Sequence, residues 1–240
     1  SLQNKTLDEF ENIVISTSSF TFDDLKEMHV YSWVILTFQN LGIMQYVAKY
    51  YNQMYGLKFI DFYAEFLKYC RSEKSVFSEE YENLIEYIKT GYSEKGWYHF
   101  DSKLGDINWP MEEASWLRLV SKKDTLSEDI YQFLINFDKE LGYNTSEEIL
   151  KDLIAFQLFL LSTFDKNESK SENLKFNWKK FFTNADTQLE KEHGTYLLKN
   201  QIIESEYSEW CKKVMWHGRH HNSQKSSIKE IKVNEMTINV

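Results

Sequence analysis

Residues 21 to 42, TFDDLKEMHVYSWVILTFQNLG, decide the fold. Thr21 is placed to cap a helix, and Asp23 and Asp24 put negative charge beside the positive end of its dipole. Gly42 supplies a residue that tolerates positive φ where the helix must stop. Between them nearly every position from Val30 to Leu41 is apolar, with Trp33, Ile35, Leu36 and Phe38 leaving different sides of the helix. A helix that is apolar all round belongs in the middle of a core. Its uncharged stretch of about 12 residues is short of the roughly 20 that a bilayer requires.

Outward from this helix the pattern stays helical. Ile43 to Met54 and Lys58 to Tyr69 carry apolar residues at helical spacing, and Tyr55-Gly56 separates them. Ser78 is expected to open a further helix with Glu79 and Glu80 in its first turn. Gly91 to Asn108 reads as a loop rich in aromatics, after which Trp109-Pro110 restarts a helix. Ser127 to Leu141 and Ser146 to Phe164 follow. The stretch DKNESKSEN (165–173) is polar and is expected to be an exposed loop. Leu174 to Phe182 and Thr195 to Ile203 alternate apolar and polar, and are expected as two paired strands. Ser205 to Met215 is a last amphipathic helix, and Ile228, Ile231 and Val233 suggest a terminal strand. Ahead of the opening helix, Ile13-Val14-Ile15 is a short β-like run ending in a serine-rich turn. The expected class is therefore mainly α, with about seven helices and a small β element near residues 174–203. It is read as one domain over 1–240, with a weak sub-boundary near 165–173.

Composition agrees. One proline and eight glycines among 240 residues, beside 17 phenylalanines, 15 tyrosines and seven tryptophans, favour long helices around a bulky core. A net charge of −9 argues against a general nucleic-acid binder, which needs excess Lys and Arg, and against docking on anionic lipid. Cys70 and Cys211 lie far apart, as suits a reducing, cytoplasmic setting. The chain opens Ser1-Leu2-Gln3 without an initiator methionine, so it is expected to be an excised part of a longer polypeptide.

Two stretches, STSSFTFDDLKEMHVYSWVILTFQNLG from Ser16 and YSEWCKKVMWHGRHH from Tyr207, resemble the C-terminal helical region of cobalamin-binding radical S-adenosylmethionine enzymes, those akin to the magnesium-protoporphyrin monomethyl ester cyclase. In that family, found in anaerobes, the region follows the radical barrel and closes with a tryptophan, glycine and arginine, matched here by Trp216, Gly218 and Arg219. The resemblance implies upstream domains of the same polypeptide as partners. It also implies a 4Fe-4S cluster, S-adenosylmethionine and cobalamin as cofactors of the parent, a methyltransferase or cyclase-like enzyme. The chain itself departs from the family's chemistry. It has no CxxxCxxC spacing, no alternating βαβ pattern and no glycine-rich phosphate turn, so no catalytic, cofactor or metal residue carries over to it.

Binding candidates remain. His217, His220 and His221 have metal-ligand side chains, but adjacent histidines on a polar tail fit poorly with zinc's need for about four convergent ligands. Trp216 with Arg219 is suited to an anion or a ring, against the plainer role of an arginine capping a helix end. Trp97 and Trp109 flank an aromatic loop that either lines a groove or covers the core. His29 reads as a satisfied boundary histidine, Glu112 and Glu113 as first-turn acids, and Cys70 as a small residue on a helix flank. The leading expectation is a non-catalytic accessory domain that shapes or covers a parent enzyme's substrate site. The alternative is an independent helical module binding a peptide or small anionic ligand. A self-standing metal enzyme is the least favoured reading.

Overall fold

The computed structural model describes residues 13–93, 96–167, 169–184, 188–199, 202–216 and 232–234. Thr21 opens α1 (Phe22–Val34) with a reciprocal cap. Its hydroxyl accepts the Asp24 N–H at 3.2 Å, while the Asp24 carboxylate accepts the Thr21 N–H at 2.7 Å. The helix does not continue regularly to Gly42. It widens into a π turn over Ile35–Asn40, where the Leu41 N–H reaches back five residues to the Leu36 carbonyl at 2.8 Å. Such a turn holds one residue more than an α turn and displaces carbonyls from the ladder. Side chains collect the carbonyls at its end. The Gln45 amide donates to Gln39 at 3.2 Å, the Trp116 indole to Leu41 at 2.9 Å, and the Gln157 amide to Gly42 at 2.6 Å. Gly42 then turns the chain with φ 89°, a region costly for any residue with a Cβ.

This corrects the expectation that the opening helix is buried on every side. Val30, Trp33, Val34 and Phe38 are buried, but Met28, Tyr31 and Ile35 are exposed. The helix has a core face and an apolar outer face.

Next come α2 (Gln45–Tyr55), closed by left-handed Gly56, and α3 (Phe59–Ser72). The following helix, α4 (Val76–Gly91), starts earlier than Ser78. Ser75 is its cap, and Ser78 returns the bond to the Ser75 N–H at 2.9 Å. Pro110 precedes α5 (Met111–Ser121). After Lys122 alone, α6 (Lys123–Leu141) begins four residues ahead of the expected Ser127. Ser146 caps α7 (Glu147–Leu160).

The C-terminal part departs most from expectation. The segment 165–173 is not all loop, since β1 (Ser169–Phe176) begins inside it. The expected strand 174–182 ends at Phe176. Asn177 then caps a short helix, α8 (Trp178–Thr183), by accepting the Lys180 N–H at 2.9 Å. Trp178, Phe181 and Phe182 are buried at helical spacing, a period the sequence reading took for alternation. The partner strand is β2 (Lys191–Lys199), four residues before the expected 195–203. It pairs antiparallel with β1, with Asn173 opposite Thr195, and with the short β3 (Lys232–Asn234), where Val233 is in register with Tyr196. Ile228 and Ile231 lie outside the described residues. Between β2 and β3 runs α9 (Tyr207–Trp216). The fold is mainly helical with a small antiparallel sheet, and α8 is the helix the sequence did not announce. No helix among the described residues is long and apolar enough to cross a membrane.

One buried cluster extends from Val30 to Met215. Its rings meet largely edge to face, as aromatic quadrupoles prefer: Phe38 on Phe66 at 4.6 Å, Phe66 on Phe77 at 5.0 Å, Tyr51 on Phe137 at 4.9 Å. The sheet is tied to this body by Asp152 of α7. Its carboxylate accepts the amides of Lys175 (2.9 Å) and Phe176 (3.2 Å) and the indole N–H of Trp178 (2.8 Å).

Candidate functional site

Among the described residues, an opening lies between α1 with its π turn and α3. Two contacts set these helices antiparallel. Near one end Arg71 grips the Glu27 carboxylate with bonds of 2.9 and 2.7 Å. Near the other the Tyr63 hydroxyl donates to Gln39 Oε1 at 2.8 Å. Between them is a trough of about 940 Å³ open to solvent. Its walls are apolar: Met28, Tyr31 and Ile35 are 63, 40 and 37% exposed on one side, and Phe59 and Ile60 are 40 and 67% exposed on the other.

Most polar groups of the trough are already engaged, the Glu27 carboxylate by Arg71. Tyr63 is buried, which raises its phenol well above the ordinary range, and its proton is given to Gln39. Asp24 is held below the usual carboxylate range by the Thr21 N–H and hydroxyl. Asp24, Glu27 and Ser32 are exposed among its lining, but most of the surface it presents is hydrocarbon and ring. Isolated exposed apolar residues are ordinary, but a contiguous concave set of five marks a surface built to be covered.

The remaining titratable groups are structural. Arg118 of α5 holds Glu80 of α4 through Nε and Nη2, at 2.8 and 2.6 Å. Its Nη1 donates to His99 Nε2 at 2.8 Å and reaches Asp101 at 3.4 Å. His99 therefore accepts at Nε2 and carries its proton on Nδ1; burial and the Arg118 cation both lower its pKa. His29 meets the Tyr92 hydroxyl at 2.7 Å and lies 5.3 Å from the Trp97 ring, and burial lowers its pKa too. That is the satisfied boundary histidine its sequence position suggests. Lys170 on β1 is the most perturbed amine. Burial brings its pKa to about 7, and it donates to the Leu161 carbonyl just past the end of α7. Glu113 sits in the first turn of α5 but is buried rather than on the surface.

The binding candidates read from the sequence do not converge on one site. Trp97 packs against His29, Tyr87 and Tyr92, and over Gly91, where an added Cβ would stand 2.3 Å from its ring. Trp109 is buried beneath the loop, and its Nε1 has no hydrogen-bond partner among the described residues. The aromatic loop thus chiefly covers the core, with Tyr98 and Phe100 exposed at its surface. Trp216 is half exposed at the end of α9, its ring 6.5 Å from that of Trp109. His217, Arg219, His220 and His221 lie outside the described residues.

Sequence reasoning missed the trough. A signal lay in Ile60, which stands off the Phe59–Phe62–Phe66–Tyr69 stripe, but it pairs with α1 only once the fold brings the two together. Among the described residues, no group of three or more His, Cys, Asp or Glu is placed to hold a metal ion. The cysteines are a poor donor set. Both are buried, which pushes the Cys70 thiol up strongly and Cys211 to about 11, opposite to what thiolate ligation needs. No protein-family model matches the chain, and no curated protein matches its sequence.

Proposed function

We propose that this chain is a non-catalytic docking domain, the C-terminal helical part of a cobalamin-dependent radical S-adenosylmethionine enzyme, of methyltransferase or cyclase type and cytoplasmic. It seats its α1–α3 trough against upstream domains of the same polypeptide and so helps to enclose their substrate site. The observation that carries this reading is the trough itself, a largely apolar concavity. The segment that resembles the radical enzymes, Ser16 to Gly42, supplies eight of its eleven lining residues. The 4Fe-4S cluster, S-adenosylmethionine and cobalamin belong in this reading to the upstream domains. The donor set here does not fit a cluster, and no chemical step is assigned to this chain.

The test uses the polypeptide encoded by the chain's own gene, reconstituted anaerobically with iron, sulfide and cobalamin. It should retain both iron and cobalamin. In the same polypeptide, Met28→Glu combined with Ile60→Glu should leave cofactor content intact while loosening the helical domain, seen as faster proteolytic release. Recovery of neither cofactor would refute the proposal. Retention of the cofactors with unchanged proteolysis in the double variant would remove the trough from it and leave a domain docked elsewhere.

A further inference from the structure

A second unmet demand sits one turn of chain ahead of the trough. Ile13, Val14 and Ile15 belong to no helix or strand and are 51, 65 and 45% exposed. Among the described residues, nothing exchanges a backbone hydrogen bond with residues 13 to 16. The first such bond beyond them joins the Thr17 N–H to the Phe20 carbonyl at 2.9 Å. Within the described residues the segment thus has no backbone partner beside its apolar side chains, and buried backbone requires partners for its N–H and C=O groups.

The residue pattern says what kind of partner. β-Branched side chains are stiff and favour extended backbone. In an extended chain successive side chains point to opposite faces, so three apolar residues in a row make both faces apolar. A strand of that kind is at home in a sheet covered on both sides. The chain's own sheet is of the other kind. Along β1 exposed positions alternate with more buried ones, and β1 and β2 are rich in lysine and glutamate. The β1 edge of a second copy therefore does not suit it.

We propose that Ile13–Ser16 is a strand that adds itself to the open edge of a two-sided β-sheet in the neighbouring domain, main chain to main chain. This rests on the reading of the chain as a domain docked against a neighbour. The turn closed by Thr17 and Phe20 leads directly into the Thr21 cap of α1, so fixing the strand in the partner's sheet also positions one wall of the trough.

Backbone hydrogen exchange tests this in the polypeptide encoded by the gene, compared with the 240-residue chain alone. In the isolated chain the amides of residues 13 to 16 should exchange nearly unprotected, and in the longer polypeptide about 100-fold more slowly. Val14→Pro, which removes a donor, should abolish that slowing, while Val14→Thr, which keeps the backbone and the branch, should preserve it. Equally fast exchange at residues 13 to 16 in both proteins overturns the strand. If residues 28 to 35 are nonetheless slowed in the longer polypeptide, the docking reading survives without it. If neither segment is slowed, the docking reading fails as well.

Discussion

Replacing Asp152 by leucine should loosen the C-terminal third of the molecule while changing little in shape. The carboxylate serves three donors. The Phe176 amide and the Trp178 indole belong to buried residues, while the Lys175 amide belongs to an exposed one that water can reach. Stranding a buried donor costs about 1–3 kcal/mol, so the two buried ones together lose about 2–6 kcal/mol. Leucine also removes a buried charge and its desolvation cost, which brings the expected loss to about 2–4 kcal/mol. Asparagine keeps one acceptor oxygen but turns an NH₂ toward the donors, so its loss should be about 1–2 kcal/mol. Urea unfolding followed by circular dichroism reads the difference. With a slope near 3 kcal/mol per molar, a loss of about 3 kcal/mol lowers the midpoint by about 1 M. A leucine variant within about 0.5 kcal/mol of the parent, the range of an ordinary surface change, would refute this account of the anchor. So would an asparagine variant as unstable as the leucine one.

Three further outcomes follow from other contacts. Arg118→Met leaves the Glu80 carboxylate buried without its partner and should cost about 3–5 kcal/mol, most of it recovered when Glu80→Leu is added; urea midpoints of the four proteins give the coupling. Gly91→Ala would ordinarily strengthen a helix, but here the methyl meets Trp97 at 2.3–2.5 Å. The variant should lose about 1–3 kcal/mol and expose residues 96 to 109 to hydrogen exchange; a Gly91→Ala protein more stable than the parent would contradict the packing. His29 and His99 both have lowered pKa values when folded, so as pH falls the unfolded chain takes up protons first. Their contribution should be level above about pH 7 and decline below about 6.5, beside the further rise from about pH 7 to about 10 that the lowered Lys170 adds, and His99→Gln, which can still accept from Arg118, should flatten the decline below about 6.5. Midpoints that rise as the pH is lowered from about 7 to about 5.5 would show the sign to be wrong.

How far the sequence could be read depended on whether the controlling interaction was local. Helix ends governed by neighbouring residues were legible: the Thr21 cap, Gly56, Gly142 and Ser146 all sit where their chemistry places them. The start of α4 was displaced because Ser75 and Ser78 can each serve as a cap, and only the reciprocal geometry decides between them. The Trp178–Phe182 helix was hidden because WKKFF after the alternating Leu174-Lys175-Phe176 reads equally as more alternation. What fixes it is Asn177 locally and Asp152, more than twenty residues earlier, at a distance. The trough was illegible for the same reason. Its two walls are far apart in the chain, and apolar content in α1 looks identical whether it faces a core or solvent. The aromatic loop could be assigned to the core only when Trp109 and Leu104 were seen beneath it.

The π turn at Ile35–Asn40 has a consequence for where the molecule is braced. A widened turn leaves carbonyls outside the helical ladder, and each needs a donor from elsewhere. Gln45 of α2, Trp116 of α5 and Gln157 of α7 supply donors to the carbonyls of Gln39, Leu41 and Gly42. The end of the first helix is thereby a joint to which three other helices are fastened, and the trough wall formed by Met28, Tyr31, Ile35 and Leu36, which keep ordinary helical spacing, is fixed at that end by it.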